Sequence, residues 1–435
     1  MTLRRVLVVN TADRGGGAER VAMNILDGFT RRGTDTWLAV AEKRTEHPQV
    51  VPVHAASQPG LAARARRRAV EARRRIDRGL GLEDLAHWST RHLLELTDEP
   101  PDLVLCNNLH GGYFDLRELP RLSRRVPVVL RVADSWAFTG HCAVPPACPR
   151  WEHGCGDCPD LATPPAVRRD LTAYNWRRKR RILAGARLHV VAPSRWLMDR
   201  ARRSLLGSSI ASSRVVANGV DTATFAPGPA APARDALGAD REAAVLVYVS
   251  NLGAANPHKD FATLHRAVRR LAERRSDRPL ELLVVGAEGP DEPLGGRARI
   301  RHLPYLADRE RLADAYRAAD LYVHAAGDEA FCLTAAEALS CGRAVVAAAA
   351  GGLPEVVEHG RTGLIERPGD DAALADAIEH LLDDRARREA MGVEAARRAR
   401  QRFDAEMVID ELHTWCAHIA SGRQGAHVDA VGAAA

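Results

Sequence analysis

Residues 327–342, Gly-Asp-Glu-Ala-Phe-Cys-Leu-Thr-Ala-Ala-Glu-Ala-Leu-Ser-Cys-Gly, decide how the rest of the chain reads. Two glutamates, Glu329 and Glu337, have seven residues between them. The preceding Leu321-Tyr-Val-His324 reads as a strand. Phe331, Leu333, Ala336 and Leu339 then mark one apolar face of a helix, with Thr334 in its first turn. This puts Glu329 in the loop before the helix and Glu337 near its middle, both within reach of a pocket at the helix N-terminus. Free N–H groups and partial positive charge suit such an end to a phosphate. Ionised carboxylates only accept hydrogen bonds, so glutamates around that phosphate suit sugar hydroxyls. A solvated helix with two ordinary glutamates is the alternative for the stretch alone.

Further on come Gly351-Gly-Leu-Pro-Glu355, Gly363-Leu-Ile365 and Pro368-Gly-Asp370. In this order the segments resemble the donor-binding half of the family 4 retaining glycosyltransferases, and the resemblance runs over nearly the whole chain. It implies an α/β protein of the GT-B fold, with two Rossmann-like domains whose parallel sheets face a central cleft. The expected division is an N-terminal acceptor-side domain over 1–215, with a Cys-rich loop at 141–159. A nucleotide-sugar domain follows over 216–400. A helix over 401–420 crosses back to the first domain, and 421–435 is a disordered tail.

Length and composition agree. A chain of 435 residues exceeds one ordinary core and suits two domains. A content of 46% hydrophobic and 27% charged residues is that of a globular protein, with no apolar run near the ~18 residues of a membrane helix. The start, Met-Thr-Leu-Arg-Arg-Val-Leu-Val-Val-Asn, reads as a first strand and not a signal peptide. A cytoplasmic location is expected, and its reducing conditions argue against structural disulfides among the eight cysteines. The net charge of +6 is concentrated in two runs, Arg64–Arg78 and Arg177–Arg181. Solvated helix faces explain both. The alternative for Arg64–Arg78 is contact with an anionic membrane surface, a peripheral position at its inner face. Nucleic acid is not expected, because aromatics do not interleave with the arginines.

Val6–Asn10 reads as a buried parallel strand, Asp13–Glu19 as a glycine loop, and Val21, Ile25, Leu26 and Phe29 as one helix face closing at Gly33. The family resemblance implies that Gly16 and Gly17 lie over the donor diphosphate. Strands at 102–106 and 126–132 end beside His110 and Asp134, and ligands of such sheets bind beyond the carboxyl ends. A loop histidine bonded to backbone is the alternative for His110. Asn108–Tyr113, Ser135–Cys142 and the cysteines up to Cys158 look like the exopolysaccharide-building branch, of the colanic-acid type. Most members have a catalytic histidine where this chain has Ala133. A helix over about 166–185, a strand at 188–192, a helix capped by Ser194 and a linker over 227–236 follow.

Lys259 falls where the family places a cation on the donor diphosphate. No Asp-x-Asp occurs in the sequence, which argues against a diphosphate held through a carboxylate-bound metal. Lys259 and the backbone N–H groups of Leu333 and Thr334 are then left to stabilise the leaving diphosphate. Glu337 would accept from the ribose and Glu329 from the donor sugar, with Asp134 and His110 as further catalytic groups. The implied activity is transfer by a hexosyltransferase from a UDP- or GDP-sugar to a glycan, lipid-linked or small-molecule acceptor, with retention and without a catalytic cofactor. A nucleotide-sugar epimerase, a phosphorylase of the same fold and a non-catalytic nucleotide-sugar-binding protein are the rivals. Cys332 stands where the family has glycine and reads as a small packing residue.

Cys142, Cys148, Cys155 and Cys158 follow the spacing C-x5-C-x6-C-x2-C. A C-x2-C turn lets two thiolates face one ion, so a structural zinc is expected, with His141 and His153 as substitute ligands. Unligated thiols or a redox pair are the alternatives.

Overall fold

The computed structural model describes residues 3–56, 68–69, 71–73, 75–77, 79–82, 87–145, 148–256 and 258–422. It divides into two compact units, Met1–Val216 with Ile409–Ala435, and Ala217–Val408.

In the first unit, seven strands form one sheet: β1 (Arg5–Ala12), β2 (Asp35–Glu42), β3 (Val50–Pro52), β4 (Leu103–Cys106), β5 (Val128–Arg131), β6 (Leu188–Ala192) and β7 (Ile210–Val215). Their order is β3-β2-β1-β4-β5-β6-β7, and every pairing is parallel. Val6, Leu7, Val8 and Val9 are all fully buried, as a strand covered on both faces requires. Order reverses at β1 and β4, so the loops after these two strands border the switch point where such sheets bind ligands.

The second unit repeats the plan with β8 (Ala244–Val249), β9 (Leu280–Val285), β10 (Glu292–Gly295), β11 (Ala298–Leu303), β12 (Leu321–His324), β13 (Ala344–Ala348) and β14 (Gly363–Glu366). Their order is β10-β11-β9-β8-β12-β13-β14, parallel except for the β10–β11 hairpin at the edge. Val245, Val247 and Val249 pack into one apolar cluster, and Leu246 and Tyr248 into the other. Strand alternation thus feeds two cores, one on each face of the sheet. The fold is that of two parallel-sheet Rossmann-like domains.

The last helix spans Ala405–Ala420, and the chain rejoins the first unit at Ile409. There Ile409 seats against Gly28, and a Cβ on that glycine would come within 2.6 Å of its side chain. His413 Nε2 lies 2.8 Å from Thr34 Oγ1, and its ring stands edge-on to Phe29. Arg214 donates to Glu411 at 2.9 Å.

Two expectations need correction. Residues 227–236 are not a linker throughout: Ala230–Leu237 is a helix. Pro232 falls in its first turn, where backbone N–H groups have no helical partner to lose, and Gly238 closes it in the left-handed region. The helix expected over 166–185 spans only Thr172–Leu183. Asp170 accepts hydrogen bonds from the backbone and hydroxyl of Thr172, and its local bonding starts the helix there. Ser194 caps as expected, accepting from Leu197 N–H at 3.2 Å. The expected tail from 423 onward, and Arg64, Arg66, Arg67, Arg74 and Arg78 of the basic run, lie outside the described residues.

Candidate active site

β12 ends at His324, and the chain reaches the helix Leu333–Ser340 through a loop carrying Glu329. Lys259, just before the helix Phe261–Arg274, donates to Glu329 Oε1. His324 Nε2 lies 3.0 Å from the same oxygen. Burial alone raises the Glu329 pKa, but Lys259 and His324 hold it well below the usual carboxylate range. Burial alone lowers that of Lys259, and Glu329 turns the net shift upward. One fixed anion therefore sits beside one fixed cation.

The backbone of Glu329 is held from the other side. Gly352 N–H donates to its carbonyl at 2.7 Å. Gly351 has φ +57°, and a Cβ there would come 2.1 Å from the same oxygen. The Gly-Gly of the downstream motif is needed because two backbones meet there.

Cys332 is the N-cap of the helix Leu333–Ser340, with φ +75° and no side-chain cap. That left-handed position favours glycine, which accounts for the glycine the family carries. The Cys332 sulfur lies 3.7 Å from His324 Nε2 and 3.5 Å from Thr334 Oγ1. Tyr322 OH lies 2.7 Å from Thr334 Oγ1 and 3.1 Å from His324 Nδ1. Among the described residues, His324, Glu329 and Cys332 offer ligand atoms within 4.8 Å of one another, a spacing open to a metal. The ammonium of Lys259 on the Glu329 oxygen marks them instead as an ion-paired network. The sequence marks Lys259 and Glu329. It misses His324 and Tyr322, which read there only as strand residues.

Glu337 lies mid-helix and 2% exposed, and its Oε2 accepts from Tyr316 OH at 2.8 Å. The tyrosine was not expected; its signal was only an apolar position on the helix Arg309–Ala318.

In the first unit, His110 Nε2 lies 3.1 Å from Asp134 Oδ2, and Asp134 Oδ1 accepts from Trp136 N–H at 2.8 Å. The two candidate residues thus meet beyond β4 and β5. Beneath them runs a buried polar chain absent from the sequence reading: Arg131 donates to Asn107 at 2.9 Å, and Asn107 to Asn10 at 2.9 Å. Burial pushes the Arg131 pKa down to about 10. Gly16 is the N-cap of the helix Gly17–Arg31, again with no side-chain cap. Asp13 anchors the preceding loop by accepting from the backbone N–H groups of Arg44 and Thr45.

All eight cysteines are free thiols. Cys106, Cys341 and Cys416 are fully buried. Cys142, Cys148, Cys155 and Cys158 gather in the segment between β5 and the helix Thr172–Leu183. Burial pushes the Cys142 thiol up to about 12 and that of Cys155 up to about 11.

These two units carry the glycosyltransferase GT-B fold. Sucrose-phosphate synthase from Thermosynechococcus elongatus superimposes with a TM-score of 0.66 at 19% identity, over 96% of this chain and 100% of that one. HepE of Anabaena, solved with UDP-glucose, gives 0.62 at 20% identity over 94% and 98%.

Residues 15–224 match the family model Glycosyltransferase Family 4, and residues 232–398 match Glycosyl transferases group 1. Each half of the chain thus matches a glycosyltransferase model. Among curated proteins, the D-inositol 3-phosphate glycosyltransferase of Rhodococcus jostii is 37% identical over 210 residues, 46% of this chain and 45% of that one. The protein of the same name from Kineococcus radiotolerans is 39% identical over 227 residues, 46% and 51%. The chain spans about half the length of the curated relatives it matches. These relatives do not single out the colanic-acid branch. No helix among the described residues is long and apolar enough to cross a membrane.

Proposed function

We propose that the protein transfers a sugar from a nucleotide-sugar donor to a glycan, lipid-linked or small-molecule acceptor, with retention at the anomeric carbon. The reading is carried by the Lys259–Glu329 pair beside the uncapped N-terminus of the helix Leu333–Ser340. A cation and free N–H groups next to a carboxylate suit a diphosphate joined to a polyhydroxylated ring. On donor binding, Lys259 turns from the carboxylate to the diphosphate, and the N–H groups of Leu333 and Thr334 share the charge that develops there. Glu329 is then released to accept from the sugar hydroxyls. Glu337, with Tyr316 as its second-line partner, accepts from the ribose. In the first unit, Gly16 and Gly17 are assigned to phosphate binding, and His110 with Asp134 to the acceptor hydroxyl.

A UDP-sugar is the favoured donor, in line with the UDP-glucose bound by HepE. The diphosphate is held without a divalent metal. For the acceptor, the inositol phosphate named for the curated relatives is one choice. A growing exopolysaccharide is the other, supported by the Ser135–Cys142 segment. An anionic membrane beside Arg64–Arg78 would suit a lipid-linked form of it.

A thermal-shift panel of UDP- and GDP-sugars tests the reading, since a ligand at ~100 times its dissociation constant adds ~2.7 kcal/mol. A shift with one UDP-sugar, followed by an NMR-assigned retained linkage in the product, is the expected result. An inverted linkage refutes retention, and strict dependence on added magnesium or manganese refutes the metal-free diphosphate. Binding with neither transfer nor hydrolysis leaves the non-catalytic rival standing.

A further inference from the structure

Glu329 has two basic partners, and they are held very differently. Lys259 sits in the loop before the helix Phe261–Arg274, and its side chain keeps 20% exposure. His324 ends β12, and its side chain has no exposure at all. Tyr248 and Tyr322 flank the imidazole, with ring planes within 25° of it and centroids 6.1 and 6.0 Å away. A ring packed between two others at a buried strand end is fixed in one orientation.

His324 is also the middle of a chain of hydrogen bonds. Tyr322 and His324 are two residues apart in one strand, so both point to the same face of the sheet, where Tyr322 packs with Ala335 and Ala336 of the helix Leu333–Ser340. Thr334 Oγ1, in the first turn of that helix, lies 2.7 Å from Tyr322 OH. Tyr322 OH lies 3.1 Å from His324 Nδ1, and His324 Nε2 lies 3.0 Å from Glu329 Oε1. Glu329 is ionised, and a carboxylate only accepts, so Nε2 carries a proton. With the imidazole neutral, Thr334 donates to Tyr322 and Tyr322 to Nδ1. With it protonated, those two bonds reverse. The bond to Glu329 is the same in both states.

We propose that His324 is a positioning residue, which keeps Glu329 ionised and in place once Lys259 has turned to the diphosphate, and ties that carboxylate through Tyr322 and Thr334 to the start of the helix Leu333–Ser340. This rests on the donor-site reading given for the protein. When Lys259 leaves, a mostly buried carboxylate without a second partner takes up a proton, because burial disfavours a lone charge. It then loses part of its capacity to accept from sugar hydroxyls. His324 prevents this without moving.

The other titratable groups around Glu329 do not replace it. Burial pushes Tyr248 up to about 12 and Tyr322 well above its ordinary value, so both stay neutral hydroxyls. Burial raises the pKa of Cys332 and His324 more than offsets it, so this thiol supplies no positive charge. Burial alone lowers the His324 pKa, and Cys332 with Glu329 turns it up to about 9.

His324→Phe keeps a flat ring between the two tyrosines and removes both nitrogens. His324→Gln puts an amide N–H near the place of Nε2. In transfer assays, His324→Phe should lower kcat about ten-fold or more, while affinity for the nucleoside diphosphate stays within about two-fold. The acid limb of kcat should move up by about one pH unit, since Glu329 has lost the group that keeps its pKa low in the complex. His324→Gln should recover most of kcat. Equal losses of kcat and diphosphate affinity, with the acid limb unmoved, make His324 a packing residue and overturn the proposal.

A readout without substrate separates this proposal from the donor-site reading. The Glu329 carboxyl, titrated by carbon NMR, should keep a depressed pKa in Lys259→Ala and lose it when His324→Phe is added. No difference between the two overturns the role of His324, whatever the protein transfers. Failure of transfer with that difference intact tells against the donor-site reading and not against the hold of His324 on Glu329. Where these variants do not fold, wild-type protein with nitrogen-labelled histidine should show His324 Nε2 protonated from about pH 5 to 8. An unprotonated Nε2 overturns the proposal.

Discussion

Lys259 and Glu329 stand seventy positions apart in the chain and form one ion pair, with His324 on the same carboxylate oxygen. The cation comes from the loop after β8 and the anion from the loop after β12, neighbouring strands of the second sheet. Their adjacency follows from the parallel order of that sheet, which delivers both loops to one end.

Removing either partner leaves the other charge in a mostly buried place. Lys259→Ala should destabilise the second unit by about 3 kcal/mol, the lower end for a broken buried pair because both side chains keep some exposure. It should also lower kcat more than it raises the donor KM, since the cation meets charge that grows as the diphosphate leaves. Denaturant titration and steady-state kinetics check the two halves. A change confined to KM would make Lys259 a ground-state anchor only.

Acid should erase the stabilising effect of Glu329. Its pKa is depressed in the folded protein from an ordinary value near 4.5. The carboxylate therefore contributes stability above the unfolded value, and that contribution fades as pH falls through the folded one. The stability difference between wild type and Glu329→Gln should be flat from pH 7 to about 5 and shrink steadily below about 4.5. Melting temperatures from pH 3 to 7 decide it; a difference that does not change with pH would mean the carboxylate has no depressed pKa.

Glu337→Gln should weaken nucleotide binding ten-fold or more, because charge-assisted hydrogen bonds are worth roughly 1.5–3 kcal/mol. Tyr316→Phe removes only the supporting hydroxyl and should cost about 1 kcal/mol of stability, with a smaller loss of affinity. Calorimetry with the nucleoside diphosphate separates them. Unchanged affinity in Glu337→Gln would remove the ribose role.

Gly351→Ala should be among the most damaging single changes in the second unit. The new methyl would meet the carbonyl of Glu329, a backbone atom that cannot step aside, at a residue whose φ is already positive. A cost of about 3 kcal/mol and a large loss of turnover are expected, since Glu329 must move. Gly360→Ala has the same sign of φ but open space around it, and should cost only about 1 kcal/mol. Equal effects of the two would show that φ, not the contact with Glu329, is what matters.

Much of this protein follows from local pattern. Apolar runs such as Val6–Val9 and Leu321–His324 marked strands, because a strand buried on both faces needs apolar residues throughout. The helix at 333–340 could be placed with Glu337 inside it and Glu329 ahead of it, because its apolar spacing and first turn are local. The edge strand β10 and its neighbour β11 were not legible: they carry polar residues, and their places follow from β11 pairing with β9 and β10 with β11. The helix at 230–237 was hidden by its prolines, whose effect depends on where in the helix they fall.

What only the tertiary structure decided is which groups meet. Sequence named Lys259, Glu329, His110 and Asp134 singly; the fold paired them. It added Tyr316 behind Glu337, His324 beside Glu329, and the chain Asn10–Asn107–Arg131 beneath Asp134. None of these has a local signature. A buried tyrosine or asparagine reads as core or loop until its hydrogen-bonding atom is seen to face another, and that depends on strand order and register, which contacts distant in sequence settle.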